Sequence, residues 1–208
     1  MPLLPSYLTQ KADVGFWRIL EDEEQLLASL PPQHRYGEQL STMTAPQRRR
    51  EWLATRCLLH TWLGQEIRLV YRPDGSPMIQ RPDGTLRECS ITHTDDLVAI
   101  AVSNTRESVG IDIEKDAERA HRLRNRFLSP HEQWNLLRDG TTAVQLWCAK
   151  EAVYKLCRTP GLGFLEHIVL HKEERQLKAT IPSLERKVDI CSFTLYGTPV
   201  AVATFAGA

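Results

Sequence analysis

The sequence predicts a fold of two similar halves, each built from one long helix followed by several short strands. The segment W-L-A-T-R-C-L-L-H (52–60) aligns with W-C-A-K-E-A-V-Y-K (147–155) at an offset of 95 residues. The segment L-V-A-I-A-V (97–102) aligns with P-V-A-V-A-T (199–204) at an offset of 102 residues. Two offsets this similar indicate a duplication, with chance similarity between apolar segments as the alternative. Two such halves would pack about a pseudo-twofold axis, and ligands favour the seam between subdomains.

Proline, glycine and capping residues delimit the elements of the first half. Asp22–Leu30 has the apolar spacing of a helix, which Pro31-Pro32 would end. Thr44-Ala45-Pro46 predicts an N-cap followed by an early proline, so a long helix should run from there to about Leu63, before Gly64. Strands are predicted at 14–19, 67–71, 88–93 and 97–103, with a turn at 72–77.

The second half also places a long helix before a set of strands. Ser129-Pro130-His131-Glu132 is a capping box with proline at the first helical position, so a helix should begin there. The second long helix is predicted from about Thr142 to Cys157, and Pro160-Gly161-Leu162-Gly163 would break the chain after it. Strands are predicted at 109–114 and near 166–171, 176–181, 187–196 and 199–205.

Length and composition limit the classes of protein to which the chain can belong. Its 208 residues, 42% of them hydrophobic, suit one large domain or two small fused ones. The 26 basic residues balance the 26 acidic ones, which argues against a general attraction to nucleic acid or to a membrane surface. No apolar run reaches the roughly 18 residues of a membrane helix, and M-P-L-L-P-S-Y-L at the N-terminus lacks the pattern of a secretory signal. Five cysteines without a CxxC pair fit reduced thiols in a cytoplasmic protein.

The strand predicted at 109–114, V-G-I-D-I-E, carries two carboxylates. Asp112 and Glu114 are two residues apart, so both would point to the same side of the strand and repel each other. A divalent cation such as Mg²⁺, which prefers oxygen ligands, would offset that repulsion. Glu151 is the best candidate for a third carboxylate, and Lys155, four residues later, shares its helix face. An ordinary exposed Glu–Lys pair is the alternative explanation of these last two residues.

Basic residues elsewhere are candidate phosphate ligands, each with a plainer alternative. His93 ends a predicted strand in S-I-T-H-T and could donate to a phosphate, or it could lie in an ordinary surface turn. The run Arg48-Arg49-Arg50 opens the first long helix, where the helix dipole favours an anion, or it is a solvated basic turn. Arg56 lies in mid-helix and is a stronger candidate for a phosphate ligand than the arginines of that run. Gly75-Ser76-Pro77 needs no explanation beyond a hairpin turn.

Two motifs resemble the signatures of the 4′-phosphopantetheinyl transferase superfamily, whose members activate carrier proteins with coenzyme A (CoA). The family motif G-[IV]-D-[IV]-E is matched by G-I-D-I-E (110–114), and W-[ST]-x-K-E-[AS]-x-x-K is matched by W-C-A-K-E-A-V-Y-K (147–155). Weaker family signals match in order; they are R-R-R-E-W-L-A-T-R (48–56), G-S-P (75–77), I-T-H-T (91–94) and R-F-L-S-P-H-E (126–132). The chain is similar to the larger, monomeric, surfactin-synthetase-activating type that serves peptide and polyketide synthases.

The resemblance implies an α+β fold of two similar subdomains, residues 1–105 and 106–208, with CoA in the cleft between them. Each subdomain would be a long helix packed on a small, mostly antiparallel sheet, with the CoA adenine and phosphates on the N-terminal side and the metal and catalytic motifs on the C-terminal side. The implied metal ligands for Mg²⁺ are Asp112, Glu114 and Glu151, and the implied catalytic residues are Glu151 and Lys155. The implied contacts of CoA are Arg48, Arg56, Gly75, Ser76, Pro77, Thr92, His93, Lys150 and Lys155.

Three positions depart from the commonest family pattern. Cys148 stands where the family has serine or threonine, Thr92 stands where it has serine, and Ser76 stands where many members have lysine. None of the three departures removes a carboxylate. The resemblance therefore still implies a complete acidic set.

The implied reaction transfers the 4′-phosphopantetheine arm of CoA to a serine of an apo acyl or peptidyl carrier protein and releases 3′,5′-ADP. The implied protein is a cytoplasmic monomer, with neither nucleic acid nor a membrane as a partner. Two alternatives remain, a non-catalytic CoA- or carrier-binding module of the same fold and a Mg²⁺-dependent nuclease. The arginines of 119–126 are a candidate surface for docking an acidic carrier, or they form a solvated helix face.

Overall fold

The computed structural model describes residues 3–207, which form two compact units: unit 1 ends at Asn104 and unit 2 begins at Thr105. Met1 and Pro2, which open the N-terminal stretch considered above, lie outside the described residues, as does Ala208. Each unit contains one antiparallel sheet with helices, so the predicted α+β fold class is confirmed. Between residues 3 and 207, no helix combines the length and the apolar character needed to cross a membrane.

Unit 1 is built on a six-stranded sheet. Its strands are β1 (Leu3–Leu8), β2 (Ala12–Arg18), β3 (Arg68–Tyr71), β4 (Pro77–Gln80), β5 (Leu86–His93) and β6 (Leu97–Ser103), in the sheet order β1-β2-β6-β5-β4-β3. Its helices are α1 (Glu23–Ala28), α2 (Tyr36–Leu40) and α3 (Pro46–Leu63), with a 3₁₀ turn at Pro32–His34. Helix α3 packs on β2 and β6, and its Leu53 and Leu58 share an apolar core with Val98 and Ile100.

Unit 2 is built on a five-stranded sheet. Its strands are β7 (Val109–Ile113), β8 (Val169–Glu173), β9 (Gln176–Ile181), β10 (Arg186–Leu195) and β11 (Thr198–Phe205), in the sheet order β7-β11-β10-β9-β8. Its helices are α4 (Ala117–Leu123), α5 (Pro130–Glu132) and α6 (Ala143–Cys157), with a 3₁₀ turn at Arg124–Arg126 and a π-helical turn at Gln133–Leu137. Helix α6 packs on β7 and β11, and its Ala149 and Val153 share a core with Ala201 and Ala203.

The two units have the same topology once β1 is set aside. Each runs through a strand, short helices, one long helix and then four strands, and the sheet orders β2-β6-β5-β4-β3 and β7-β11-β10-β9-β8 correspond strand for strand. The aligned segments 97–102 and 199–204 lie in β6 and β11, which hold the same place in their sheets. This correspondence supports the duplication that the two offsets predict.

A glycine in the first shared strand of each unit lies against the long helix. A Cβ added to Gly110 of β7 would lie 1.8 Å from the backbone carbonyl oxygen of Ala152 in α6. A Cβ added to Gly15 of β2 would lie 2.5 Å from the ring of Trp62 in α3. Only the absence of a side chain permits so close an approach. The contact in unit 2 is the tighter constraint, because backbone cannot swing aside as a side chain can.

Helix starts follow the capping predictions with one correction. Helix α5 begins at the predicted capping box, in which Ser129 is the N-cap. Helix α6 is likewise capped by Thr142 through a capping box. The prediction that Thr44 caps α3 is wrong, because Ala45 is the N-cap residue and no side chain caps this helix. Pro46 at the first helical position has no N–H, so this helix start has one fewer unpaired backbone donor.

Elements with weak sequence patterns were not predicted. Strand β1 is an edge strand that pairs only with β2, and β4 is four residues long and begins with proline. Helix α4, A-E-R-A-H-R-L, buries only one residue, Ala120, so it has little apolar periodicity to detect. Strand β8 begins at Val169, three residues after the predicted start near residue 166.

Candidate active site

The close contact between β7 and α6 brings Asp112 against the helix. Asp112 lies on the same side of β7 as Gly110, two residues before it. Its Oδ1 accepts a hydrogen bond from Lys155 Nζ at 2.7 Å, and the same nitrogen donates to the carbonyl oxygen of Ile111 at 3.1 Å. Asp112 is only 6% exposed. Lys155 therefore offsets part of the repulsion expected between the carboxylates of Asp112 and Glu114.

Glu114 lies just beyond β7, which ends at Ile113, one residue before the predicted end. Its Oε1 accepts hydrogen bonds from the backbone N–H groups of Lys115 at 2.8 Å and Asp116 at 2.9 Å. Glu114 is thus held by the loop that follows the strand, whereas Asp112 is held by the helix.

Glu151 completes an acidic set with Asp112 and Glu114. It is half-buried on α6, four residues before Lys155. Burial raises the pKa of the Glu151 carboxyl, the charge of Asp112 raises it further, Lys155 opposes the change, and Glu114 adds a smaller increase. The three carboxylates that the sequence singles out therefore lie close enough for their charges to interact, with Lys155 as the cation among them.

The acidic set has the oxygen donors that Mg²⁺ prefers but lacks the arrangement of a finished metal site. Within residues 3–207, no three side chains of His, Cys, Asp or Glu are placed so that they could hold one metal ion together. Asp112 is bonded to Lys155, and Glu114 is bonded to backbone N–H groups. The donor chemistry fits magnesium, and ligation by all three carboxylates would require a rearrangement of their side chains.

Lys150, a predicted CoA ligand, lies in the core of unit 2. Its side chain is fully buried, and its Nζ donates to the carbonyl oxygens of Phe164, at 2.7 Å, and of Ile168. The same nitrogen lies 2.7 Å from Oε1 of Glu132, which is also buried. Burial lowers the pKa of the Lys150 ammonium, and the hydrogen bond and charge of Glu132 oppose that shift. An ammonium has three N–H donors, and three protein acceptors surround this one.

Glu132, predicted only as part of a capping box, joins three segments of unit 2. Its Oε2 accepts from the backbone N–H of Ser129, as the capping box predicts, and its Oε1 accepts from the backbone N–H of Leu170 at 2.8 Å. Together with Lys150, it ties α5 and β8 to α6. The capping-box pattern identifies the first of these contacts, but the other two join parts of the chain that no local pattern connects.

Cys148, which stands at the family's serine or threonine position, is a buried thiol beside the acidic set. Its Sγ donates to the carbonyl oxygen of Pro199 at 3.7 Å. Burial raises its pKa strongly, and the charges of Asp112 and Glu114 add to that increase. The thiol therefore stays protonated at neutral pH, which is unlike a reactive cysteine.

Arg56 of unit 1 is a buried cation. It is 6% exposed, and its guanidinium carbon lies 3.6 Å above the ring of Trp52. It donates to the Trp52 carbonyl oxygen at 3.1 Å and to the Tyr71 hydroxyl at 3.4 Å, while its Nε has no partner among the described residues. No carboxylate within residues 3–207 pairs with it, and burial lowers its pKa. A buried guanidinium without a carboxylate is costly unless an anion binds it.

The other predicted residues of unit 1 lie at the ends of its strands and helix. His93, about half-exposed, ends β5 and has its Nδ1 at 3.2 Å from Glu51 Oε2, and Thr92 before it is buried. Arg48 is exposed in the first turn of α3. Gly75, Ser76 and Pro77 form the β3–β4 turn and the start of β4; Gly75 has a φ of +83°, and the Ser76 hydroxyl donates to Asp74 at 2.7 Å.

The duplication shows that the acidic set belongs to unit 2 alone. At the offset of 95 residues, Trp17 of β2 corresponds to Asp112 of β7, and Ile19 corresponds to Glu114. In the long helices, Arg56 corresponds to Glu151 and His60 to Lys155. At these four positions unit 1 carries no carboxylate, so the chemistry of the acidic set is not repeated in unit 1.

Comparison with known proteins identifies the segment that carries the acidic set. The model of the 4′-phosphopantetheinyl transferase superfamily matches residues 108–203, nearly the whole of unit 2. No curated protein matches the chain in sequence. The matched segment contains both signature motifs and all four charged residues that meet between β7 and α6. Residues 108–203 of the chain are therefore similar to the 4′-phosphopantetheinyl transferase superfamily.

Proposed function

We propose that the protein transfers the 4′-phosphopantetheine arm of CoA to a serine of an apo acyl or peptidyl carrier protein. The observation that carries this proposal is the pairing of Asp112 with Lys155 beside Glu151, within a segment that matches the model of the 4′-phosphopantetheinyl transferase superfamily. A carboxylate set next to an ammonium provides what phosphoryl transfer requires, namely a proton acceptor and a cation for phosphate oxygens.

In the proposed step, the serine Oγ attacks the β-phosphorus of CoA. A new phosphorus–oxygen bond forms, and the bond from the β-phosphorus to the bridging oxygen breaks, so that oxygen leaves with 3′,5′-ADP. Glu151 accepts the serine proton, and Lys155 stabilises negative charge on the phosphate oxygens. Because Lys155 is bonded to Asp112, its ammonium is already held near the acidic set before CoA binds.

We assign Asp112, Glu114 and Glu151 as the residues that would hold Mg²⁺. The oxygen donor set and the charge interaction among the three carboxylates support this assignment. When bound, the ion would neutralise charge on the CoA pyrophosphate. The side-chain rearrangement that ligation requires leads us to expect weak binding of Mg²⁺ alone and tighter binding with CoA, whose phosphates supply further oxygens.

We assign the phosphates and adenine of CoA to residues of unit 1. The proposed contacts are Arg48, Arg56, Thr92, His93, Gly75, Ser76 and Pro77. Arg56 has the strongest support, because a phosphate would supply the anion that its buried guanidinium lacks. Lys150 is left out of this set, because its ammonium already has three protein acceptors.

The test is to incubate the protein with CoA, Mg²⁺ and apo carrier proteins and to weigh the carriers by intact mass spectrometry. The expected result is addition of one phosphopantetheine arm to at least one acyl or peptidyl carrier, and loss of that addition with EDTA. The variant Glu151→Gln keeps the side-chain shape, so it should retain the fold and lose transfer. Binding of CoA without transfer to any carrier would instead indicate a non-catalytic binding module.

We further propose that the protein is of the larger, monomeric type serving peptide or polyketide synthases and that it acts in the cytoplasm. The two units of one chain, each with the same topology, support a monomer, since a half-length chain would need partners to supply the second unit. Size-exclusion chromatography with light scattering tests this. A trimer in solution would contradict it.

A further inference from the structure

Glu51 is a largely buried carboxylate of α3 that lies against the imidazole of His93. Its side chain is 13% exposed, and its Oε2 lies 3.2 Å from Nδ1 of His93. Gln47, earlier on the helix, donates from Nε2 to Oε1 of Glu51 at 2.8 Å and to the carbonyl oxygen of Asp95 at 3.0 Å. Because each oxygen of Glu51 has a partner, the carboxylate is fixed in position beside the end of β5.

The charges around the His93 ring come from α3 and from the turn after β5. Among the residues that the structure describes, Glu51 forms an ion pair with His93 and with no other side chain, although Arg48 precedes it on the same helix. The turn that follows His93 contains Asp95 and Asp96. Strand β6, which pairs with the end of β5, has no ionisable side chain. Glu51 is therefore the charged group in direct contact with Nδ1 of His93.

This contact determines which ring nitrogen of His93 carries a proton. A carboxylate only accepts hydrogen bonds, so Nδ1, at 3.2 Å from Glu51, carries a proton. In a neutral imidazole the other nitrogen, Nε2, is then a bare acceptor and repels a phosphate oxygen. Nε2 donates only in the imidazolium, in which both nitrogens are protonated. The His93 side chain is 49% exposed, and its Nε2 has no partner within residues 3–207, so this nitrogen is open to a ligand.

We propose that Glu51 is a positioning residue that couples the binding of a phosphate at His93 to the uptake of one proton. The proposal rests on the proposed function, in which His93 contacts a phosphate of CoA. When the phosphate meets a neutral ring, a proton from solvent adds to Nε2, and the new N–H donates to a phosphate oxygen. The ring is oriented before CoA binds, because Glu51 holds its Nδ1. The affinity for CoA therefore falls as the pH rises.

The substitution Glu51→Gln isolates this coupling, because it keeps the side-chain shape and changes which group donates. A glutamine amide can donate to Nδ1, so a neutral His93 can then carry its proton on Nε2 and donate to phosphate without proton uptake. His93→Gln does not titrate at this position and gives the proton uptake of all other groups. Glu66→Gln is the matched control, since Glu66 is an exposed carboxylate of unit 1 outside this contact.

Calorimetric titrations with CoA in buffers of different ionisation enthalpy give the number of protons taken up per CoA bound. They are run with Mg²⁺ between about pH 7 and 8.5, above the second pKa of about 6 of a phosphate monoester. At the pH of greatest uptake, the unchanged protein and Glu66→Gln should take up at least about 0.5 proton more than His93→Gln, which by linkage raises Kd about threefold per pH unit. Glu51→Gln should lose at least about half of that excess.

Nitrogen NMR of labelled histidine rings tests the same contact without a substitution at Glu51. In the unchanged protein without CoA, at about pH 8.5, the neutral His93 ring should carry its proton on Nδ1. The signals of His93 are assigned by their absence from His93→Gln. A proton on Nε2 would overturn the proposal, even if Glu51→Gln does not fold.

Transfer to an apo carrier protein, measured by intact mass, separates this proposal from the proposed function. If the protein binds CoA with a proton uptake that depends on Glu51 but transfers nothing, the proposed function fails and the proton coupling stands. If transfer is normal and Glu51→Gln takes up as many protons as the unchanged protein, the proton coupling is wrong. An equal loss of uptake in Glu66→Gln also overturns it, and a protein that binds no CoA overturns both.

Discussion

Replacing Lys150 with methionine should destabilise unit 2, and the result separates a structural role of this lysine from a role in CoA binding. Methionine keeps an unbranched apolar side chain but removes the ammonium. Glu132, whose side chain is 2% exposed, would then be a buried carboxylate without its cation. The carbonyl oxygens of Phe164 and Ile168 would each lose a donor.

Removal of one partner of a buried ion pair costs about 3–5 kcal/mol, because the remaining charge is left uncompensated. The backbone N–H groups of Ser129 and Leu170 still donate to Glu132, each at 2.8 Å, so we expect the lower end of that range. A loss of about 3 kcal/mol is a large share of the roughly 5–15 kcal/mol by which domains are stable. The double variant Lys150→Met with Glu132→Gln should recover part of it, because no uncompensated charge is then buried.

Urea denaturation followed by far-UV circular dichroism gives the free energies of unfolding, and transfer kinetics at low temperature give KM for CoA. Lys150→Met should lower stability by about 3 kcal/mol and leave KM for CoA within about twofold. The matched control is Lys155→Met. The side chain of Lys155 is 29% exposed, so its replacement should lower the free energy of unfolding by about 1–2 kcal/mol and abolish most transfer. If Lys150→Met costs under about 1 kcal/mol and raises KM for CoA about tenfold, Lys150 is a CoA ligand and the structural reasoning is refuted.

Two substitutions in unit 2 and one alkylation experiment in unit 1 test further features of the structure. Gly110→Ala places a Cβ 1.8 Å from a backbone oxygen of α6, so it should lower the free energy of unfolding of unit 2 by more than about 4 kcal/mol. The control Gly207→Ala has open space around its Cβ and should change that free energy by under about 0.5 kcal/mol. Similar urea midpoints for the two variants would contradict the close contact. Asp112→Asn should reduce transfer by at least about 100-fold and lower stability by about 1–3 kcal/mol, because Lys155 loses its anion; retained activity argues against the metal assignment. Burial raises the pKa of the Cys57 thiol to about 11, so its alkylation should be slow at pH 8 and accelerate about tenfold per pH unit below that pKa, measured by mass spectrometry; alkylation at pH 8 as fast as that of a small thiol would contradict this burial.

Sequence patterns predicted the fold well where an element has a strong local signal. Helix α6 matches its prediction because its N-cap, its apolar face and its glycine-rich terminator all lie within one segment. The long apolar strand β6 was found for the same reason, since all seven of its residues are buried. Strand β1 and helix α4 were missed because their own patterns are weak: β1 is an edge strand that pairs with the adjacent β2, and α4 buries one residue, Ala120.

The candidate site was predictable in its membership and less so in its contacts. The G-I-D-I-E strand and the helix that follows identify Asp112 and Glu151, and the structure places their charges near each other. The contacts of the Lys150 ammonium could not be predicted from the motif, because its partners Glu132, Phe164 and Ile168 are 14 to 18 residues away along the chain. A lysine in a signature motif indicates a phosphate ligand only until its burial and its acceptors are known.

The topology that the two units share explains why the acidic set lies in one half of the chain. In both units a glycine in the first strand that the two units share lies against the long helix, Gly15 in β2 and Gly110 in β7. The residue two positions later is then on the side of the strand that faces the helix. In unit 2 that residue is Asp112, and Lys155 of α6 donates a hydrogen bond to it, so the negative charge of Asp112 is compensated. In unit 1 it is Trp17, which is nearly buried and can occupy the same position without any counter-ion. In both units the backbone therefore brings the first shared strand close to the long helix. The side chains at a few positions on these two elements determine that the acidic set lies in unit 2.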